Sequence, residues 1–409
     1  MNANRKPFLT PGEALEFHKD VLVVDTKMPA NHGLFYNDNM REAMKNWVED
    51  GRLSRSEIQA NLYEMTVKEL KASEKSRKEY LGIWEEAGVN VASVTYAGPH
   101  SPDGAFETAT RSLMQGRGTI DALGEDLRLV LNADELERVY KDNVKGVIFD
   151  FQDTTSIGGD LNRLDMFHNM GLRIVQLTYN LRNLVGDGCT ERYKTGLTYF
   201  GIELVERLNE LKMVVDVSHC SQQVGWDAIK FSKSPIMVTH STSNAVCYHD
   251  RGKDDDLAKA VADSGGFFGV AAIAGFVKND INATLDDYVD HVEHLINIMG
   301  IDNVGIASDK CGPGPGTETM YEFPEALGPF DTSYLFKDSP DPRSKPPGFD
   351  WSGFRPEHRL SDKHRMVDFD TPTDWPNITL KLVERGFNEE ELRKLLGLNF
   401  LRVFRDIVG

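Results

Sequence analysis

Cysteine is scarce: only Cys189, Cys220, Cys247 and Cys311 occur in 409 residues, and no two form a CxxC pair. A disulfide framework is thereby excluded, and free thiols in a reducing cytosol are expected. Long apolar runs are missing too, since none approaches the roughly 18 residues a membrane span requires. The opening MNANRKPFLTPGEALEF lacks a secretory apolar stretch, and the closing FLRVFRDIVG lacks a lipid-anchor tail. A soluble, cytoplasmic protein without a membrane partner is the expectation. Positive charge is the minority sign: 46 Lys+Arg against 64 Asp+Glu give a net charge of −18. Nucleic acid, whose phosphates this surface would repel, is a poor partner. No glycine-rich phosphate turn follows the first apolar strand, because VVDTKMPAN runs on to Gly33 before a glycine appears. That disfavours an open nucleotide-binding sheet.

What is present is a repeated alternation. Eight β-branched, apolar runs read as buried strands: 21–26, 89–96, 146–152, 173–179, 213–219, 235–240, 267–272 and 304–309. Between them lie amphipathic helical patterns, such as Leu161, Leu164, Met166, Phe167 and Met170 after the third strand. Another runs through Tyr288, Val292 and Leu295 and should stop at Gly300. Continuous apolar strands suit a parallel sheet covered on both faces, and eight of them predict one (β/α)8 TIM-type barrel spanning the 409 residues. Two stretches exceed a plain barrel. Residues 37–88 read as a helical insertion after strand 1. Residues 310–376 hold 11 of the 17 prolines and read as a long lid-like loop after strand 8. Residues 377–409 read as a C-terminal helical cap.

Chemistry in such a barrel sits where the strands end. Those ends carry Asp25, Lys27, Gln152, Tyr179, His219, His240 and Asp309. His219 and His240 close consecutive strands, which stand ~4.8 Å apart, so both imidazoles can reach one ion at ~2.1 Å. Asp309 is then the natural general base or a further ligand.

The blocks 158–180, 196–221, 234–270 and 285–309, together with the C-terminal LGLNFLRVF, resemble the membrane (renal) dipeptidase family of zinc peptidases in order and spacing. The resemblance implies a (β/α)8 barrel, dipeptide hydrolysis at a two-zinc centre and a homodimer. It also implies that His219 and His240 are metal ligands, that Asp309 is the acidic residue of the strand-8 block, and that Arg251 holds a substrate carboxylate. The family's first-strand His-x-Asp pair, however, aligns with Lys27 and Pro29. Its bridging glutamate aligns with Gln152, and a substrate-contacting histidine aligns with Thr155. Pro29 has no ligand atom, Lys27 is a cation and Gln152 is neutral, so a divergent member lacking the first metal is expected. His32 is a candidate replacement ligand.

These residues predict a dipeptidase-like metallohydrolase acting on an amide or peptide-like bond of a small, carboxylate-bearing molecule. Zn2+ is expected, one per chain rather than two, with another divalent transition metal as the substitute. His219, His240 and Gln152 are the expected metal-binding residues, Asp309 and Lys27 the catalytic ones, and Arg251, Thr155 and Tyr179 the substrate-binding ones. Lys27 is expected to polarise the carbonyl or stabilise an oxyanion in place of the lost metal. Two further readings stay open: a redox or tailoring enzyme using iron on the same barrel, and an inactive small-molecule-binding paralogue.

Overall fold

The computed structural model describes residues 7–28, 35, 37–50, 52, 55–98, 101–310, 352–360 and 364–409. Each predicted strand run overlaps an observed strand. They are β1 (Val24–Asp25), β2 (Val91–Ala97), β4 (Lys145–Phe151), β5 (Leu172–Gln176), β6 (Val214–Asp216), β7 (Met237–Ser241), β8 (Phe267–Ala271) and β10 (Val304–Ala307). All pair in parallel, in the order β1-β2-β4-β5-β6-β7-β8-β10. The result is a nearly closed eight-strand barrel. Between β1 and β10 the seam is sewn by single bonds: Thr26 N–H donates to Ile306 O at 3.4 Å and Asp309 N–H to Lys27 O at 2.8 Å. Asp25 completes it, accepting from Ser308 N–H at 2.8 Å and from Trp375 Nε1–H at 2.9 Å.

Three short strands escaped the sequence reading. The strand β3 (Leu127–Leu129) pairs with β4 outside the barrel path, and β9 (Asn282–Ala283) pairs with β11 (Arg365–Met366). Two or three residues are too few to establish a period. Between β1 and β2 stand the helices Asp38–Asp50, Arg55–Ala72 and Glu74–Ala87. Helix Leu285–Met299 opens with a capping box of Thr284 and Asp287 and ends at Gly300, whose φ of 79° suits glycine. In helix Asn162–Asn169, Leu164 and Phe167 are buried, but Met166 faces solvent. Among the described residues no helix is long and apolar enough to cross a membrane. Pro29, His32 and most of the 310–376 loop lie outside the described residues.

The barrel interior is layered along its axis. At the end where the strands begin, Leu22, Val24, Val91, Ile148, Ile174, Val214, Met237 and Phe267 form an apolar cluster with Phe400, Leu401, Val403, Phe404 and Ile407. Those five come from helix Asn399–Val408, which plugs the barrel from below. Phe400 meets Phe267 edge-on at 5.6 Å.

Candidate functional site

His219 and His240 meet at the mouth with their Nε2 atoms 3.0 Å apart. Each ring is fixed from behind. His219 Nδ1 lies 2.8 Å from Asn180 Oδ1. The orientation of that amide is settled by Ser352, whose carbonyl can only accept and stands 2.7 Å from Asn180 Nδ2. His219 Nδ1–H is therefore the donor. His240 Nδ1 lies 2.8 Å from Thr239 Oγ1, and the single hydroxyl hydrogen of Thr239 goes to Asp216 Oδ2 at 2.7 Å. His240 Nδ1–H is the donor as well. Both Nε2 atoms consequently carry lone pairs, aimed at each other.

Burial, with Arg251 as a secondary cause, holds the His219 imidazole well below its usual range. Burial followed by the Lys27 charge does the same to His240. Two neutral imidazoles with facing lone pairs repel unless a cation lies between them. Two nitrogens each ~2.1 Å from one ion and 3.0 Å apart subtend about 90° at it, an ordinary ligand angle. Gln152 stands beside the pair, with Nε2 3.3 Å from His240 Nε2. Among the described residues no group of three or more His, Cys, Asp or Glu side chains converges on a metal position. The set is two imidazoles beside a neutral amide.

Lys27 points into the barrel. Its Nζ lies 2.5 Å from Asp150 Oδ1, and both side chains are 2% exposed. Asp150 also accepts from Ser93 Oγ–H at 2.6 Å and Thr95 Oγ1–H at 2.9 Å. The ammonium expected to act on substrate is thus committed to an internal carboxylate. Asp150 escaped the sequence reading, yet it shares a strand face with Gln152, two residues on. A charge within an apolar strand, GVIFDFQ, was the signal that it has a buried partner.

Arg251 is fully buried and spends its fork on backbone. Nη1–H donates to Ser218 O at 2.6 Å and Nη2–H to His240 O at 3.0 Å, while buried Nε has no partner among the described residues. The expected grip on a substrate carboxylate therefore meets a guanidinium already occupied with the two histidine-bearing strand ends. Lys253, also buried, donates to Cys220 O at 2.6 Å, and burial pushes its ammonium down to about 8.

Asp309 follows β10 with a φ of 49°, a left-handed conformation that aspartate tolerates better than most residues. Burial pushes its carboxyl up to about 6, against the opposing charges of Arg251 and Lys27. Tyr179 stacks on His219 with ring centroids 4.0 Å apart. Tyr179 and Thr155 line one cleft, together with Pro102, Gly158, Leu181 and Leu184.

The family model for membrane dipeptidases, peptidase family M19, matches residues 34–324. The chain is 34% identical over 196 residues to an uncharacterized Klebsiella pneumoniae protein in the pqqA 5' region, covering 46% of this chain and 72% of that one. It is 23% identical over 291 residues to the dipeptidase tcpJ of Claviceps purpurea, covering 70% of this chain and little more than half, 57%, of that one. Among solved structures, an amidohydrolase from Pseudomonas aeruginosa superposes with a TM-score of 0.70 at 25% identity, covering 98% of this chain and 100% of that one.

Proposed function

The chain belongs to the membrane dipeptidase family, peptidase family M19, and from that premise we propose a hydrolase that works with one divalent ion, zinc by preference, instead of two. The single observation carrying this reading is the pair of Nε2 lone pairs facing each other at 3.0 Å with both Nδ1 atoms committed elsewhere. His219 and His240 would hold the ion, with the Gln152 amide beside it. Bound there, the ion supplies Lewis-acid polarisation of a scissile carbonyl or of water. A second ion is disfavoured by what occupies the end of β1. The Lys27 ammonium already neutralises Asp150, and Arg251 and Lys253 add two further buried cations.

This chain's own residues do the remaining work. Asp309, pushed up to about 6, is basic enough to take a proton from water near neutral pH and acidic enough to return it to a leaving amine. Lys27 serves as an internal replacement for a metal charge and not as an electrophile, since its Nζ is held by Asp150. Arg251 fixes the backbone of the two histidine strand ends, and its remaining N–H groups are what a substrate carboxylate could meet. Thr155 and Tyr179 wall the cleft in which the rest of a small amide substrate would lie. The redox alternative is weakened by the neutral Gln152 amide, where a facial triad would place a carboxylate beside the histidines.

His219→Ala and His240→Ala should each remove bound zinc and dipeptide hydrolysis together. Full hydrolysis after loss of the metal would refute the reading.

A further inference from the structure

The segment 352–360 crosses the barrel mouth, and its bonds reach three different strand-end loops. Thr190 Oγ1–H donates to Gly353 O at 2.9 Å, and Arg355 Nη1–H donates to Thr190 O at 3.0 Å. In the β7 loop, His249 Nε2 meets His358 O at 2.8 Å and Asp250 Oδ2 lies 3.2 Å from His358 Nε2. In the β8 loop, Arg359 Nε–H donates to Gly275 O at 2.8 Å. The strap is therefore docked by side chains, without a strand ladder.

Two adjacent residues carry this docking straight to His219. Asn180 uses both ends of one amide: Oδ1 accepts from His219 Nδ1–H at 2.8 Å and Nδ2–H donates to Ser352 O at 2.7 Å. Tyr179 does the same with its ring, stacking on His219 at 4.0 Å and meeting Phe354 edge-on at 6.1 Å. The local backbone is built tightly around this amide. A Cβ on Gly188 would fall 2.0 Å from the Asn180 carbonyl carbon, so only glycine fits there. Thr190 N–H then donates to Asn180 O at 3.0 Å.

We infer that Asn180 is a positioning residue for His219, and that the strap 352–360 sets the direction of its amide. If Ser352 O is withdrawn, the one described contact still distinguishing the two ends of the amide is the weak Cys189 Sγ–H donor to Oδ1 at 3.2 Å. A flipped amide would present Nδ2–H to His219 Nδ1, which favours the opposite tautomer and places a hydrogen on Nε2, where a ligand lone pair is required. Strap docking and ligand readiness are in this way one equilibrium, and linkage makes the effect reciprocal. The inference concerns the histidine's state and rests on the one-ion reading only for its consequence in zinc affinity.

The test separates the two ends of the amide. Asn180→Asp keeps an acceptor for His219 but opposes a second oxygen to Ser352 O. Asn180→Leu removes both contacts, and Phe354→Ala loosens the strap without touching His219. Two readouts are taken on metal-free protein: 15N shifts of the His219 ring, and amide exchange across 352–360. Wild type should show Nδ1–H at His219 and slow exchange. Asn180→Asp should retain Nδ1–H with fast exchange. Phe354→Ala should show fast exchange and a mixed tautomer. With zinc added, affinity should fall by about 10-fold or more in Asn180→Leu and by about fivefold in Phe354→Ala. A pure Nδ1–H tautomer in Phe354→Ala despite fast strap exchange would overturn the inference, as would wild-type exchange rates in Asn180→Asp. Because tautomer and exchange are read without metal, a failure to bind zinc would sink the one-ion reading while these two readouts still decide the wiring.

Discussion

Replacing Lys27 by methionine tests the buried pair at the end of β1. The side chain keeps nearly its length and loses its charge, so cavity effects stay small and the electrostatic one dominates. In the native protein Nζ and Asp150 Oδ1 are 2.5 Å apart and both side chains are 2% exposed. After the change Asp150 keeps, among the described residues, the Ser93 and Thr95 hydroxyls. Two neutral donors do not compensate a desolvated carboxylate, and breaking one side of a buried pair costs about 3–5 kcal/mol. That loss should appear in urea unfolding at pH 8 as a lower midpoint with an unchanged slope. A desolvated carboxylate without its counter-charge favours the neutral form, so protonation relieves the penalty as pH falls. The deficit of Lys27→Met should therefore shrink between pH 8 and pH 5. Adding Asp150→Asn should recover most of it, because no buried charge remains. A loss below about 1 kcal/mol, or a double variant no more stable than the single one, would show that the pair is not the electrostatic unit described here.

Other expectations are independent of that pair. The triple change Lys27→His, Pro29→Asp and Gln152→Glu exchanges an ammonium for an imidazole and adds two carboxylates, so zinc content should rise toward two per chain; an unchanged content would refute the charge argument. His291, whose Nδ1 accepts from Ser243 N–H at 3.1 Å and whose Nε2 donates to Val277 O at 3.0 Å, is held down to about 4 by burial. The unfolded chain protonates it first, so its contribution is intact above pH ~6.5 and about 3 kcal/mol of it is lost by pH ~4. Asp25 and Asp309, both raised to about 6, act in the opposite direction, so the check is a difference between proteins: the stability advantage of wild type over His291→Gln should shrink by about 3 kcal/mol between pH 6.5 and 4. Phe400→Ala removes the ring beneath Phe267 and should cost about 3–5 kcal/mol without altering zinc content; a coupled loss of zinc would mean that the plug and the mouth are not separate layers.

The barrel was legible because parallel strands buried on both faces leave long apolar runs, and VVDVSH or FFGVAA can hardly be anything else. The histidine pair was legible for the same reason: a polar residue at the end of an apolar strand must face the mouth. The strand ends also marked Lys27 and Asp309, but not what they face. Lys27 was expected to meet substrate and instead meets Asp150, because the direction of a long, flexible side chain depends on partners 123 residues away in sequence. Asn180 and Thr239 carry no distinctive spacing, and their part in fixing the two rings emerges only from which atoms touch. Arg251 reads as a clamp by type, and the fold turns two of its N–H groups toward the carbonyls of Ser218 and His240. The strap lies in a proline-rich stretch whose composition speaks for turns and says nothing of where they dock.

The central claim is one ion between His219 and His240, and its most direct measurement is metal content by mass spectrometry on protein purified without chelator, paired with anomalous diffraction at the zinc edge. The account predicts about one zinc per chain, a single anomalous peak within ~2.1 Å of both Nε2 atoms, and loss of both signals in His219→Ala. Two peaks, or one peak at the Lys27 end with the histidine pair left empty, would contradict it.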